Sequence, residues 1–177
     1  LRQAFHDGDL EVHYQPQFDI STGNISGAEA LLRWSYGDEG PISPDEFIPL
    51  AEESGIITEL ADFQLHEACQ QLRLWHLSGM SALGLSYNLS PRQLEDPRLL
   101  QQVKSVLEKT RFDPQYLKFE LTEGSLVAND TINIALLHQI RKLGISLAID
   151  DFGTGYSSMQ YLTQFPFKRL KIDRSLV

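Results

Sequence analysis

The chain has 177 residues, 42% of them hydrophobic and 22% charged, enough for one soluble domain with a substantial core. Its net charge of −9 argues against a general nucleic-acid surface, which should be basic. The single cysteine, Cys69, excludes an internal disulfide and points to a reducing compartment, and no apolar run or leader pattern indicates a membrane span or signal peptide.

In chain order, "EVHY" (Glu11 to Tyr14) alternates as a short strand that Pro16 should stop. "STGN" (21–24) signals a turn, and a second strand is expected over about Ser26 to Trp34. Ser43, Pro44 and Glu46 form a helix start with a capping box, and Gly55 ends that helix. A longer helix follows over roughly Thr58 to His76, with Leu60, Ala61, Ala68, Leu72 and Trp75 at helical spacing.

From there strands and helices alternate. "LGLSYNLS" (83–90) reads as a strand, and "SPRQ" (90–93) opens a helix running to about Lys109. "YLKFELT" (116–122) is a strand, Asp130 to Leu143 a helix, "ISLAID" (145–150) a strand, Ser157 to Gln164 a short helix and "RLKID" (169–173) a strand. Such alternation predicts an α/β fold with parallel pairing.

That makes six expected strands, fewer than the eight that close a (β/α) barrel. Yet nearly every one carries a polar group near its C-terminal end: Gln15, Glu29, Asn88, Glu120, Asp150 with Asp151, and Lys171. In a barrel those ends converge on one mouth, where functional groups gather. One group per successive strand favours an incomplete TIM-like barrel over an open doubly wound sheet.

If the groups converge, four carboxylates (Glu29, Glu120, Asp150, Asp151) and the amide of Asn88 form an all-oxygen donor set suited to Mg²⁺ or Mn²⁺. Two such ions would clamp a phosphoryl group, and Lys171 could neutralise developing charge. Blander readings stand beside this. Glu29 could pair with Arg33, Asn88 could belong to a turn, and Glu120 could pair with Lys118 on its own strand face. Either aspartate could cap the helix after the Gly-rich loop. Other chemistry is weakly signalled: the five histidines show no HExxH, and "GTG" (153–155) is too short for a dinucleotide fingerprint.

Seven stretches together resemble the EAL family of bacterial cyclic di-GMP phosphodiesterases: "YQP" (14–16), "EALLRW" (29–34), "FIPLAEESG" (47–55), "NLS" (88–90), "FELTE" (119–123), "DDFGTGYSS" (150–158) and "LKID" (170–173). The resemblance covers the whole chain as a single EAL domain (1–177) lacking its last two strands. It implies a modified (β/α)₈ barrel with one strand antiparallel, and hydrolysis of one phosphodiester of cyclic di-GMP to a linear diguanylate by two-metal catalysis. The alternative is a receptor that binds cyclic di-GMP without cutting it.

By that resemblance Glu29, Asn88, Glu120 and Asp150 hold the first ion, and Asp150 and Asp151 the second. Lys171 contacts the water or scissile phosphate, Gln15 and Arg33 touch substrate, and Glu123 anchors the 150–158 loop. The family's usual "ELTES" reads "ELTEG" here, with Gly124. The expected cofactors are two Mg²⁺ or Mn²⁺ in an intact domain and at most one in this chain, whose own turnover is expected to be weak or absent without the last two strands. A homodimer is expected, with no nucleic-acid polymer as partner and no membrane contact by the domain itself. The expected location is cytoplasmic, free-standing or as part of a larger membrane-anchored protein.

Overall fold

The structure is a computed structural model describing residues 1–36, 40–123, 134–153 and 166–176. A seven-stranded sheet organises it. Its strands are β1 (Leu10–Phe18), β2 (Ile25–Tyr36), β3 (Gly40–Ile42), β4 (Gly84–Asn88), β5 (Leu117–Thr122), β6 (Ser146–Phe152) and β7 (Arg169–Ile172). The order is β1-β2-β4-β5-β6-β7, with β3 a short addition to β2. β1 runs antiparallel to β2, whereas β2, β4, β5, β6 and β7 are parallel neighbours.

The helices are α1 (Arg2–Asp7), α2 (Pro44–Glu53), α3 (Ile57–Leu77), α4 (Pro91–Glu95), α5 (Leu99–Thr110) and α6 (Ile134–Lys142). Ser43 caps α2 by accepting the Asp45 amide at 3.3 Å, with Pro44 in the first turn. The full reciprocal box forms at the second Ser-Pro start, where Ser90 and Gln93 cap each other's backbone.

Three expectations need correction. Pro16 does not stop β1, which continues to Phe18 with Pro16 opposite Ala28. β1 stands at the end of the described strand order, and edge strands are where a sheet tolerates proline. The single helix expected over 91–109 is two helices, because Asp96 is extended (φ −77°, ψ 114°) before Pro97, as proline requires of its predecessor. The strand β3 and helix α1 were not expected, and each is too short to show a period. The helix expected at 157–164 lies outside the described residues.

Strand alternation divides the sheet into two faces. Leu85, Tyr87, Leu117, Phe119, Leu121, Leu147 and Ile149 form one face, buried against Leu65, Ala68 and Leu72 of α3, Val103 of α5, and Leu137 and Ile140 of α6. Each fully buried large side chain contributes about 1.5–3 kcal/mol relative to exposure. A second cluster joins Leu32 and Trp34 of β2 to Phe47 of α2, whose rings meet edge-on at 5.9 Å. The opposite face carries Ser86, Asn88, Lys118, Glu120, Asp150 and Lys171, so the apolar periodicity of each strand assigns its polar groups to one side.

Gly27 of β2 and Gly84 of β4 are directly paired. A Cβ on Gly27 would lie 2.7 Å from the Gly84 carbonyl oxygen, a backbone atom that cannot swing aside. Gly27→Ala is therefore expected to destabilise the fold by about 2 kcal/mol, in the range of overpacked cores. Urea unfolding at unchanged slope would show it, and an unshifted midpoint would refute the close approach.

Candidate active site

The site is built by register. Glu29 of β2 lies opposite Gln15 of β1 and beside Ser86 of β4. Asn88, two residues on, sits beside Glu120 of β5, and Thr122 sits beside Asp150 of β6. The polar groups of four successive parallel strands thus climb toward the strands' C-terminal ends on one face. Lys171 of β7 reaches into the middle of them.

Its ammonium bonds three carboxylates from three strands: Oε2 of Glu120 at 2.6 Å, Oδ2 of Asp150 at 2.7 Å and Oε2 of Glu29 at 3.2 Å. Asn88 Nδ2 donates to the other oxygen of Glu29 at 2.8 Å. One oxygen from each of Glu29, Glu120 and Asp150 lies within 4.8 Å of the other two. Burial works against the charge on Lys171. The hydrogen bonds to Asp150 and Glu120, with the fields of Glu120 and Glu29, outweigh it and hold the ammonium above its ordinary pKa.

The two adjacent aspartates owe their placement to a bulge. Ile149 pairs with Leu170 and Phe152 with Ile172, so Asp150 and Asp151 together oppose Lys171 alone. Asp151 takes the extra place in a left-handed conformation (φ 51°), one that aspartate tolerates better than most residues. Burial, then the neighbouring Asp150 and Asp173, push the Asp151 carboxyl above its usual range. Just beyond, the Gly153 amide donates to Oε2 of the buried Glu123 at 2.7 Å, tying the ends of β5 and β6 together.

The blander readings can now be weighed. Glu29 takes Asn88 and Lys171 as partners; Arg33 instead donates to the Leu32 carbonyl at 2.9 Å. Lys118 does approach Glu120, but at 3.6 Å, against 2.6 Å for Lys171. Arg33, Asn88, Glu120, Asp150 and Asp151 line one cleft of about 380 Å³. Gln15 is exposed and does not line it. Larger clefts lie elsewhere: about 610 Å³ around Gln17, Lys118 and Arg169, about 600 Å³ beside Tyr14 and Trp75, and about 490 Å³ around Leu94, Asp96 and Leu136. Among the described residues none of these holds a cluster of three carboxylates, so the donor chemistry, not the volume, marks the site. The layer of Gln17, Ser86 and Lys118 beneath Glu120 was not expected; its one signal was the polar residues spaced two apart from Gln15, Asn88 and Glu120.

The donor set fits a hard divalent cation. Its oxygens come from three carboxylates, an ammonium already stands among them, and Oε1 of the buried Glu120 has no hydrogen-bond partner among the described residues. No described helix is long and apolar enough to cross a membrane.

A family model for the EAL domain matches residues 1–177. The chain is 43% identical over its whole length to the cyclic di-GMP phosphodiesterase NbdA of Pseudomonas aeruginosa, covering 23% of it. It is 37% identical to the cyclic di-GMP phosphodiesterase PdeR of Escherichia coli, covering 26%. The chain thus spans about a quarter of the length of these curated relatives. Among solved structures, the phosphodiesterase PaMucR in complex with c-di-GMP superposes with a TM-score of 0.93 at 39% identity, over 98% of this chain and 70% of that one. The fold also matches the FimX EAL domain, with a TM-score of 0.87 at 24% identity.

Proposed function

The chain belongs to the EAL domain family, and from that premise we propose that it is a single catalytic domain hydrolysing one phosphodiester of cyclic di-GMP to linear diguanylate. The observation that carries the proposal is the convergence of Glu29, Glu120 and Asp150 on the ammonium of Lys171. Three carboxylates gathered from three strands around a single positive point form a cation site, and the family resemblance gives it a phosphate ester to act on.

In this reading Glu29, Asn88, Glu120 and Asp150 hold a first Mg²⁺ or Mn²⁺, and Asp150 with Asp151 contribute to a second. Bound there, such ions supply a water of lowered pKa and draw charge from the phosphoryl oxygens. Lys171 yields the centre of the carboxylates and stays beside it, neutralising charge that develops on the phosphate. Asn88 fixes the orientation of Glu29 through its 2.8 Å bond. Arg33 offers a guanidinium fork to the phosphate from the cleft wall, and Gln15 meets the ligand from the neighbouring strand. Glu123 holds the Gly153 backbone and so steadies the segment bearing both aspartates. A cytoplasmic homodimer is the proposed working form.

The test is to incubate the chain with cyclic di-GMP and Mg²⁺ or Mn²⁺, separate the products chromatographically and count bound ions calorimetrically. Slow formation of linear diguanylate is expected, lost on chelation, together with one tightly held Mn²⁺ per chain. Binding without product would turn the reading to a receptor. Two tight ions would show that Asp151 completes a second site within these residues.

A further inference from the structure

Beneath the carboxylate cluster, on the same face of the sheet, lies a second polar layer that the proposed chemistry does not use. Lys118 of β5 stands two residues before Glu120, with its side chain only 15% exposed. Its ammonium donates to Ser86 Oγ at 3.0 Å, and that hydroxyl is tied in turn to the Gln17 side chain at 3.1 Å. The same ammonium lies 3.6 Å from Oε1 of Glu120. Glu120 is therefore divided: Oε2 faces up to Lys171 and the cleft, and Oε1 faces down to Lys118 with no hydrogen bond among the described residues.

The two lysines hold their carboxylate differently. Lys171 stands among all three carboxylates, in the place a divalent ion would take, so an arriving ion competes with it. Lys118 is tethered from below by Ser86 and keeps its place. A fully buried carboxylate oxygen has no water to solvate it, so a fixed cation at this distance is worth more than on the surface.

We infer that Lys118 is a positioning residue: held by Ser86 and Gln17, it fixes the downward oxygen of Glu120 and so aims the upward oxygen at the ion. This rests on the reading of the cleft as a divalent-ion site in a phosphodiesterase. Two opposing effects must be weighed, because a nearby ammonium also repels a divalent ion. Orientation wins here, since Lys118 is on the far side of the carboxylate from the cleft and Glu120 has no other described partner below.

The experiment compares wild type, Lys118→Met, Lys118→Arg and Ser86→Ala by calorimetry with Mn²⁺ alone, with thermal melts to confirm folding. Lys118→Met is expected to weaken Mn²⁺ binding about tenfold. Lys118→Arg should restore most of that loss, and Ser86→Ala, which frees the tether but keeps the charge, should lose about threefold. Unchanged or tighter Mn²⁺ binding by Lys118→Met would overturn the inference, as would failure of arginine to rescue a folded protein. The functional reading fails separately. Wild type that makes no linear diguanylate, while Lys118→Met still loses Mn²⁺ affinity, would remove the phosphodiesterase and leave the positioning role standing.

Discussion

Glu120→Gln is expected to reduce Mn²⁺-dependent hydrolysis of cyclic di-GMP on the order of 10³-fold, as removal of a preorganised charged group from a reaction centre does. The side chain is fully buried and belongs to both layers, with one oxygen 2.6 Å from Lys171 and the other 3.6 Å from Lys118. A glutamine of the same shape keeps the packing but leaves two ammonium groups facing a neutral amide, one end of which now presents hydrogens to a cation. Thermal melting separates this from simple unfolding. A folded variant with near wild-type turnover would remove Glu120 from the reaction, and the convergence of strand ends would then need another explanation.

The second large effect concerns Lys171→Met. Without an ion, this change leaves Glu29, Glu120 and Asp150 facing one another with no charge between them. The cluster is partly open to solvent, with Lys171 34% exposed, so the loss is smaller than for a fully buried pair: about 2 kcal/mol, or a melting temperature lower by about 5 °C. Scanning pH would not reveal this contribution. A lysine whose folded pKa is raised stabilises fully below its ordinary value of 10.5 and loses that effect only as pH climbs through the folded value.

Mn²⁺ should undo the damage, because it supplies the missing charge. We expect a larger Mn²⁺-induced rise in melting temperature for the variant than for wild type, with Mn²⁺ binding tighter by about tenfold. Lys171→Met would thus gain affinity where Lys118→Met loses it. If Mn²⁺ stabilises both proteins equally, Lys171 does not occupy the ion's place. Turnover of the ion-loaded variant should still fall, since charge developing on the phosphate loses its neutralising neighbour.

The parts of this site visible in the sequence share one property: each is a polar residue inside an apolar strand. Period-two alternation assigned Glu29, Asn88, Glu120 and Asp150 to one face, and parallel pairing brought those faces into register. What escaped the sequence depended on contacts that no period encodes. Pro16 read as a stop because nothing local places β1 at the end of the described strand order. The Asp96–Pro97 step was legible but was overridden by the longer helical pattern around it. Arg33 shares the face of Glu29, yet its guanidinium turns to the Leu32 carbonyl. For Lys118 the sequence offers no more than an alternative ion pair with Glu120, because the Ser86 and Gln17 side chains that tether it come from strands far away in the chain.

The bulge at the end of β6 has a consequence for how the acidic pair is built. Phe152 pairs with Ile172 and packs into the apolar cluster, a side it would not face if alternation continued unbroken from Asp150. The extra residue resets the phase of the strand. Delete Asp151 in thought and the ladder heals: Ile149, Asp150 and Phe152 fall opposite Leu170, Lys171 and Ile172 one for one. Asp150 is structurally committed, since the strand's alternation fixes it toward Lys171. Asp151 is a removable insert whose presence the sheet merely accommodates, so the second carboxylate of the pair can be lost or gained without redrawing the fold around the first.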